Sequence, residues 1–148
     1  MTTLPTLPVH GLAPAANPAG PRLSVIIPNY NYQEFIGQAI DSALAVSWPQ
    51  VQVIVVDDGS TDRSREVIEA YRGRIEIVHQ ANAGQLQAYN VGFTLARGDV
   101  VIFLDSDDLL DPEVITADNI ADFVRDDLPD SLWVNTKMTD DEINTLFG

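Results

Sequence analysis

The chain has 148 residues, a length that favours one domain with a sizeable core. It contains no cysteine, which excludes disulfides and thiolate metal sites, and its formal net charge of −14 argues against direct nucleic-acid binding. No apolar run is long enough to span a bilayer and no secretory signal is visible, so we expect a cytoplasmic protein without a transmembrane segment.

The first 21 residues differ in composition from the rest of the chain. They hold five of the nine prolines, interspersed with alanine, glycine and threonine. Such a segment cannot bury enough apolar surface to order itself. We therefore predict a disordered Pro/Ala-rich tail at residues 1–21 and begin the folded part at residue 22.

From residue 22 onward, apolar runs of strand length alternate with segments of helical periodicity. The predicted strands cover residues 23–28, 51–56, 75–79 and 100–104, with a late strand at 132–134. The predicted helices cover residues 34–47, 62–71, 84–96 and 113–124. Ser60 or Thr61 is expected to cap the second helix, and Gly98 to end the third in the left-handed conformation. This alternation predicts an α/β fold with a mainly parallel sheet flanked by helices.

Polar residues follow three of the predicted strands at their carboxyl ends, where parallel sheets bind ligands. Three carboxylates within four positions, Asp105, Asp107 and Asp108, end the fourth strand. They would repel one another, and oxygen-only ligands suit a hard cation such as Mg²⁺ or Mn²⁺. A solvated Asp-rich turn is the alternative. Residues 99–148 hold fourteen acidic and two basic side chains (net −12), against eight and six (net −2) in residues 1–98.

Other candidate binding residues lie near the ends of the first three strands. Asp57 could accept hydrogen bonds from a nucleobase or ribose, and Tyr30 could stack on a base or sugar ring. The turn at Asn82 and Gly84 begins a helix, where backbone N–H groups favour phosphate. The structural alternatives are a turn and helix cap for the aspartates and simple packing for Tyr30. We expect His79 to be a packing or surface residue rather than a catalytic base.

Receiver domains also use acidic strand ends, but the short spacing to the single lysine, Lys137, argues against them.

Four motifs follow one another over about residues 22–115. They are Ser24-Val25-Ile26-Ile27-Pro28-Asn29-Tyr30-Asn31, Val55-Val56-Asp57-Asp58-Gly59-Ser60-Thr61-Asp62, Asn82-Ala83-Gly84 with Asn90-Val91-Gly92, and residues 98–108 ending in Asp105-Ser106-Asp107-Asp108. In this order and at these spacings, the motifs resemble those of family 2 glycosyltransferases of the GT-A fold.

The resemblance implies a Rossmann-like GT-A nucleotide-binding half at residues 22–125 and inverting transfer from a UDP- or GDP-type sugar to an acceptor hydroxyl. By position, Pro28 and Tyr30 would flank the base and Asp57 would bind it. Asp107 would bind Mg²⁺ or Mn²⁺, while Asp105 would hold ribose or metal-bound water. The metal would neutralise charge on the departing diphosphate, and a separate carboxylate would deprotonate the acceptor.

The chain departs from the family pattern at three points. Val46 stands where many members have Gln, and Tyr89 where many have Arg. Only 40 residues follow Asp108, so the acidic segment 126–148 reads as an incomplete acceptor half. No residue there matches the family base; Asp140 and Asp141 come nearest, and the catalytic residues stay unassigned.

The resemblance predicts an acceptor that is either a glycan or a lipid-linked carrier. With a lipid-linked carrier, we expect the protein to attach peripherally to the inner membrane. The alternative function is a truncated, non-catalytic module that binds a nucleotide sugar or a partner. In that case an incomplete sheet would favour self-association.

Overall fold

The structure, a computed structural model, describes residues 21–119. The predicted tail up to residue 20, the late strand at 132–134 and the acidic segment 126–148 lie outside these residues. In chain order the elements are β1 (Leu23–Asn29), α1 (Ile36–Leu44), β2 (Val51–Asp58), α2 (Ser64–Glu69), β3 (Glu76–Gln80), α3 (Gln85–Leu95) and β4 (Val100–Phe103). No helix within residues 21–119 is long and apolar enough to cross a membrane.

The four strands form one parallel sheet in the order β3-β2-β1-β4. In this register Asn29 lies beside Asp57, and Asp57 lies beside His79. All four carboxyl ends therefore meet at one edge of the sheet, which brings the predicted polar segments together. The α/β prediction with a parallel sheet is confirmed.

Both faces of the sheet are covered, which explains the continuous apolar runs in β1 and β2. On one face α1 packs through Ile36, Ala39, Ile40 and Ala43, which recur at helical spacing and are all fully buried. On the other face, Ala88 of α3 packs in a smaller cluster with Ile26, Ile54 and Val56.

Two glycines allow close contacts with β1. A Cβ on Gly92 would lie 2.3 Å from Cγ2 of Ile26, so only glycine lets α3 lie this near the sheet. A Cβ on Gly98 would lie 2.6 Å from the backbone nitrogen of Ser24. The prediction of a left-handed Gly98 is wrong: among the described glycines only Gly59, Gly73 and Gly84 have positive φ. Helix α3 ends earlier, with Ala96 in an extended conformation.

Two helix-boundary predictions are also corrected. Residues 113–119, expected to be helical, form turns; the remainder of that prediction lies outside the described residues. The backbone N–H of Thr116 donates to Asn119 Oδ1, and the N–H of Asn119 donates to Thr116 Oγ1. Such reciprocal bonds stabilise a helix start, not an interior, and the periodicity alone did not reveal them. Asp62, rather than Ser60 or Thr61, accepts the N–H of Ser64 at the start of α2.

Candidate functional site

A cleft of about 510 Å³ lies beyond the carboxyl ends of β1, β2 and β4. Its walls come from the β1–α1 loop, the start of α3 and the loop after β4. Six of the seven predicted site residues line it: Pro28, Tyr30, Asn82, Gly84, Asp105 and Asp107. The remaining lining residues are Asn29, Tyr32, Asp58, Gln85, Ala88 and Ser106.

The aromatic side of the cleft is formed after β1. Tyr30 and Tyr32 are 45% and 42% exposed, and the ring of Tyr32 lies 6.2 Å from that of Phe35. Pro28 and Asn29, by contrast, are buried in the strand. Two exposed tyrosines beside a cleft are suited to stacking on a flat or ring-shaped ligand.

Asp57 is fully buried and is not among the residues that line the cleft. Its Oδ1 accepts hydrogen bonds from Asn29 Nδ2 at 3.1 Å and Ser60 Oγ at 2.5 Å. Its Oδ2 accepts one from the N–H of Ser60 at 3.3 Å and lies 3.4 Å from Arg65 Nε. Asn29, beside Asp57 in the sheet, and Asp58, next to it in the chain, line the cleft, and Asp57 is the one predicted binding residue that does not.

A histidine connects Asp57 to the protein surface. His79 Nδ1 lies 3.6 Å from Asp57 Oδ2 and has no hydrogen-bond partner among the described residues. Its Nε2 lies 2.8 Å from Glu69 Oε1. Hydrogen bonds from Arg72 and then His79 lower the pKa of Glu69 to about 2. His79 is partly buried at the end of β3 and outside the cleft, consistent with a packing role.

Asp58 holds the loop between β3 and α3. The backbone N–H groups of Ala83 and Gly84 donate to its carboxylate at 2.7 and 3.0 Å, and Gln80 Nε2 donates at 2.8 Å. The N–H groups that the sequence suggested for phosphate are therefore occupied by Asp58. Gly84 has φ +96° and nothing within 4 Å of a Cβ position, so it leaves open space at the start of α3.

The loops after β1 and β2 are joined by reciprocal hydrogen bonds that the sequence analysis missed. Asn31, with φ +57°, accepts the N–H groups of Thr61 and Asp62 through Oδ1 at 2.7 and 3.2 Å. The N–H of Asn31 donates to Ser60 Oγ at 3.0 Å. The one available signal was the residue type at position 31, since asparagine adopts the left-handed conformation more readily than most residues. The pairing fixes Tyr30 relative to the end of β2.

Asp105 is held by two residues of α3. Tyr89 OH donates to Asp105 Oδ1 at 2.5 Å, and Gln85 Nε2 donates to the same oxygen at 2.9 Å. Burial, and then the hydrogen bond to Asp105, raise the pKa of Tyr89, so its phenol is neutral and available as a donor. Neither residue was identified as a site residue from the sequence.

The carboxylates of Asp105, Asp107 and Asp108 form an acidic cluster. One oxygen of each lies within 4.8 Å of the others, and all three residues are exposed. The turn is closed by the N–H of Asp108 donating to the carbonyl of Asp105 at 3.0 Å. Clustered oxygen ligands fit a hard divalent cation, so the residues present match the predicted metal.

The described lining of the cleft includes carboxylates but no lysine, arginine or histidine. An anionic ligand entering it would meet Asp58, Asp105 and Asp107 with no basic side chain to offset them. A bound cation would supply the missing positive charge. The cleft thus combines an aromatic wall, an acidic cluster able to hold a cation, and open space at Gly84.

The fold and this strand-end site define the nucleotide-binding half of a GT-A glycosyltransferase, as the solved structures indicate. Staphylococcus aureus TarS (residues 1–349) in complex with UDP-GlcNAc is 34% identical, with a TM-score of 0.59, covering 62% of this chain and 28% of that one. The mannosyltransferase PcManGT of Pyrobaculum calidifontis, in complex with GDP-Man and Mn²⁺, is 28% identical with a TM-score of 0.56, covering 60% and 28%.

The chain belongs to glycosyltransferase family 2: the model described as "Glycosyl transferase family 2" matches residues 24–145. The uncharacterized glycosyltransferase alr2836 of Nostoc sp. is 47% identical over 95 residues, covering 62% of this chain and 30% of that protein. EpsJ of Bacillus subtilis, also an uncharacterized glycosyltransferase, is 43% identical over 91 residues, covering 60% and 26%. The chain therefore spans about 30% of the length of these relatives.

Proposed function

We propose that this chain binds the nucleotide-diphosphate sugar donor of an inverting glycosyltransferase. The observation that carries the proposal is the cleft itself: exposed tyrosines on one side, a cation-binding carboxylate cluster on the other, and no basic side chain in its described lining. A nucleoside diphosphate needs a surface for its base and positive charge for its phosphates. Here the charge would come from a divalent cation.

The proposed roles follow the positions of the side chains. Pro28 and Tyr30 flank the base, and Asp57 binds it together with Asn29, which lines the cleft and whose amide donates to Asp57. Asp107, as part of the Asp-x-Asp motif, binds Mg²⁺ or Mn²⁺, and Asp105 holds ribose or metal-bound water. Gly84, with Asn82 beside it, leaves room for the diphosphate. When bound, the cation would act as a Lewis acid on the leaving diphosphate.

The bound ligands of two similar proteins support this choice of donor. TarS is solved with UDP-GlcNAc, and PcManGT with GDP-Man and Mn²⁺. We infer a UDP- or GDP-type donor for this chain, and an acceptor hydroxyl on a glycan or a lipid-linked carrier. A cytoplasmic protein with peripheral contact at the inner membrane belongs to the same proposal.

Binding without transfer is the second candidate, because the carboxylates in the described cleft lining, Asp58, Asp105 and Asp107, hold the loop or the proposed cation and leave none assigned as a base for the acceptor. Such a module would bind nucleotide sugar or a partner. We expect such a module to self-associate through the edge of its sheet. Turnover of UDP-GlcNAc or GDP-mannose by the purified monomeric chain would reject the binding-only version.

The proposal is tested by calorimetry with UDP and GDP, each with Mn²⁺ and with EDTA. We expect one nucleotide to bind with Mn²⁺ and its affinity to fall at least about tenfold in EDTA, which corresponds to 1.4 kcal/mol. Asp118→Asn, an exposed carboxylate outside the cleft, serves as the control for general charge effects. Absence of binding by either nucleotide with Mn²⁺ present would overturn the proposal.

A further inference from the structure

We propose that Tyr89 and Gln85 are positioning residues that orient Asp105 toward the metal and nucleotide. The inference rests on the proposed function and concerns how this chain presents one carboxylate of the acidic cluster. Both residues lie on α3, one helical turn apart, so their side chains share one face. Both donate to the same oxygen, Asp105 Oδ1.

The two donors determine which oxygen of Asp105 is left for a ligand. A carboxylate has two oxygens, and with Oδ1 occupied by Tyr89 and Gln85 the second, Oδ2, accepts no hydrogen bond from the described residues. Asp107 and Asp108, the other members of the cluster, have no side-chain hydrogen bond among residues 21–119 either. Among the contacts of residues 21–119, Asp105 is thus the one carboxylate of the cluster whose orientation hydrogen bonds constrain.

The position of the Tyr89 hydroxyl is fixed by packing. Its ring contacts Phe103 edge-on, with the ring centroids 5.0 Å apart and an interplanar angle of 89°. Phe103 is the last residue of β4, two residues before Asp105, and it also stacks on Phe93 of α3 at 6.5 Å. The aromatic contact therefore joins the helix that carries the donors to the strand that carries the acceptor.

The uncharged nature of both donors matters as much as their position. A phenol and an amide stabilise the carboxylate by hydrogen bonds to a charged acceptor without cancelling its charge. Asp105 keeps its net negative charge, which attracts a cation, while losing rotational freedom. A pre-oriented ligand costs less conformational entropy when the cation binds, so we infer tighter metal and nucleotide binding.

The test compares two tyrosines that each donate to a carboxylate. Tyr89→Phe removes the hydroxyl but keeps the ring against Phe103. Tyr71→Phe is the matched control, because Tyr71 OH donates to Asp41 Oδ1 at 2.9 Å, away from the cleft. We expect Tyr89→Phe to weaken Mn²⁺-dependent nucleotide binding about tenfold, the value of one hydrogen bond to a charged group. Tyr71→Phe should bind as the wild type does.

A double-mutant cycle separates positioning from a merely structural role. In an Asp105→Ala background, Tyr89→Phe should cause no further loss of affinity, because its target is gone. Gln85→Ala should lower the nucleotide affinity less than Tyr89→Phe does, and it too should have no effect in the Asp105→Ala background. Equal nucleotide affinity of wild type and Tyr89→Phe, or an undiminished effect in the Asp105→Ala background, would overturn the inference.

A titration with Mn²⁺ alone, followed by electron paramagnetic resonance, keeps this inference independent of the nucleotide. If the wild type binds neither UDP nor GDP, the proposed donor function fails, yet the titration still tests the positioning of Asp105. We expect Tyr89→Phe to bind Mn²⁺ several-fold more weakly than Tyr71→Phe does. Identical Mn²⁺ titrations of the two variants would contradict the inference that Tyr89 orients Asp105.

Discussion

The carboxylate of Asp58, at the end of β2, accepts the backbone N–H of Gly84, the residue before α3, at 3.0 Å. The same carboxylate accepts the N–H of Ala83, and Asp58 is only 3% exposed. One side chain of the sheet therefore fixes the start of the helix that carries Tyr89 and Gln85. An aspartate that reads in the sequence as a turn or binding residue builds the cleft wall.

Replacing Asp58 should destabilise the folded protein. In Asp58→Asn one oxygen remains for two backbone N–H donors, and the new amide turns its own donors toward them. We expect the free energy of unfolding to fall by about 2 kcal/mol or more, since a buried donor is left unpaired. Urea denaturation measures it, with the exposed Asp118→Asn as control. Equal stability of the two variants would show that the loop is held by other contacts.

The two helical glycines should respond oppositely to alanine. Gly92→Ala puts a Cβ 2.3 Å from Ile26 Cγ2 and should destabilise the fold by about 1–3 kcal/mol. Gly37→Ala, on α1, meets only Val67 Cγ1 at 3.4 Å and Tyr71 Oη at 3.5 Å. The better helix propensity of alanine should make that variant neutral or more stable by up to about 1 kcal/mol. Thermal unfolding of both variants checks the contrast, and a stabilised Gly92→Ala would contradict the packing of α3 on β1.

Ser60 links the loops after β1 and β2. Its hydroxyl donates to Asp57 and accepts from Asn29 Nδ2 and the N–H of Asn31. Ser60→Ala should lower the free energy of unfolding by about 2 kcal/mol, because Asp57 and Asn29 are buried and lose a partner. Ser47→Ala, at an exposed serine between α1 and β2, is the control for the substitution itself. Chemical denaturation in which both variants match the wild type would mean that Ser60 is dispensable.

Asp107→Asn should separate stability from metal binding. Removing one of three neighbouring carboxylates reduces their mutual repulsion, so the metal-free variant should melt at or above the wild-type temperature. The stabilisation that Mn²⁺ adds to the wild type should largely disappear in the variant. Thermal melts with and without 1–10 mM Mn²⁺, taken here as roughly saturating, test both statements. A variant that Mn²⁺ stabilises as strongly as the wild type would remove Asp107 from the proposed site.

Stability should depend on pH through Glu69. Hydrogen bonds from Arg72 and then His79 lower the pKa of this carboxyl to about 2 from its ordinary value of 4.5. Because the folded state binds the proton less tightly, the contribution of Glu69 to the free energy of unfolding is fully present above pH 4.5. It is lost as the pH falls from 4.5 toward 2. Urea unfolding of wild type and Glu69→Gln across this range should show a shallower pH dependence in the variant; parallel curves would argue against the two hydrogen bonds.

Much of the fold could be predicted from the sequence because burial on both faces leaves a direct pattern. The runs in β1 and β2 and the helical spacing of Ile36, Ala39 and Ile40 specify strand and helix without reference to distant residues. The helix predicted over residues 113–119 was wrong, since the reciprocal bonds between Thr116 and Asn119 are those of a helix start and not of a helix interior. Gly98 was predicted to end α3 in the left-handed conformation, whereas its close approach to Ser24 explains why a glycine stands there.

The sequence by itself determined a parallel α/β sheet, the family motifs and the carboxylates after β4. Only the tertiary structure decided what each polar residue does. It buries Asp57 outside the cleft lining, uses Asp58 to hold the loop before α3, and brings Tyr89 and Gln85 to Asp105. The physical reason is that strand and helix patterns are local. The partner of a buried polar group is set by strand order and helix packing, which join residues far apart in the chain.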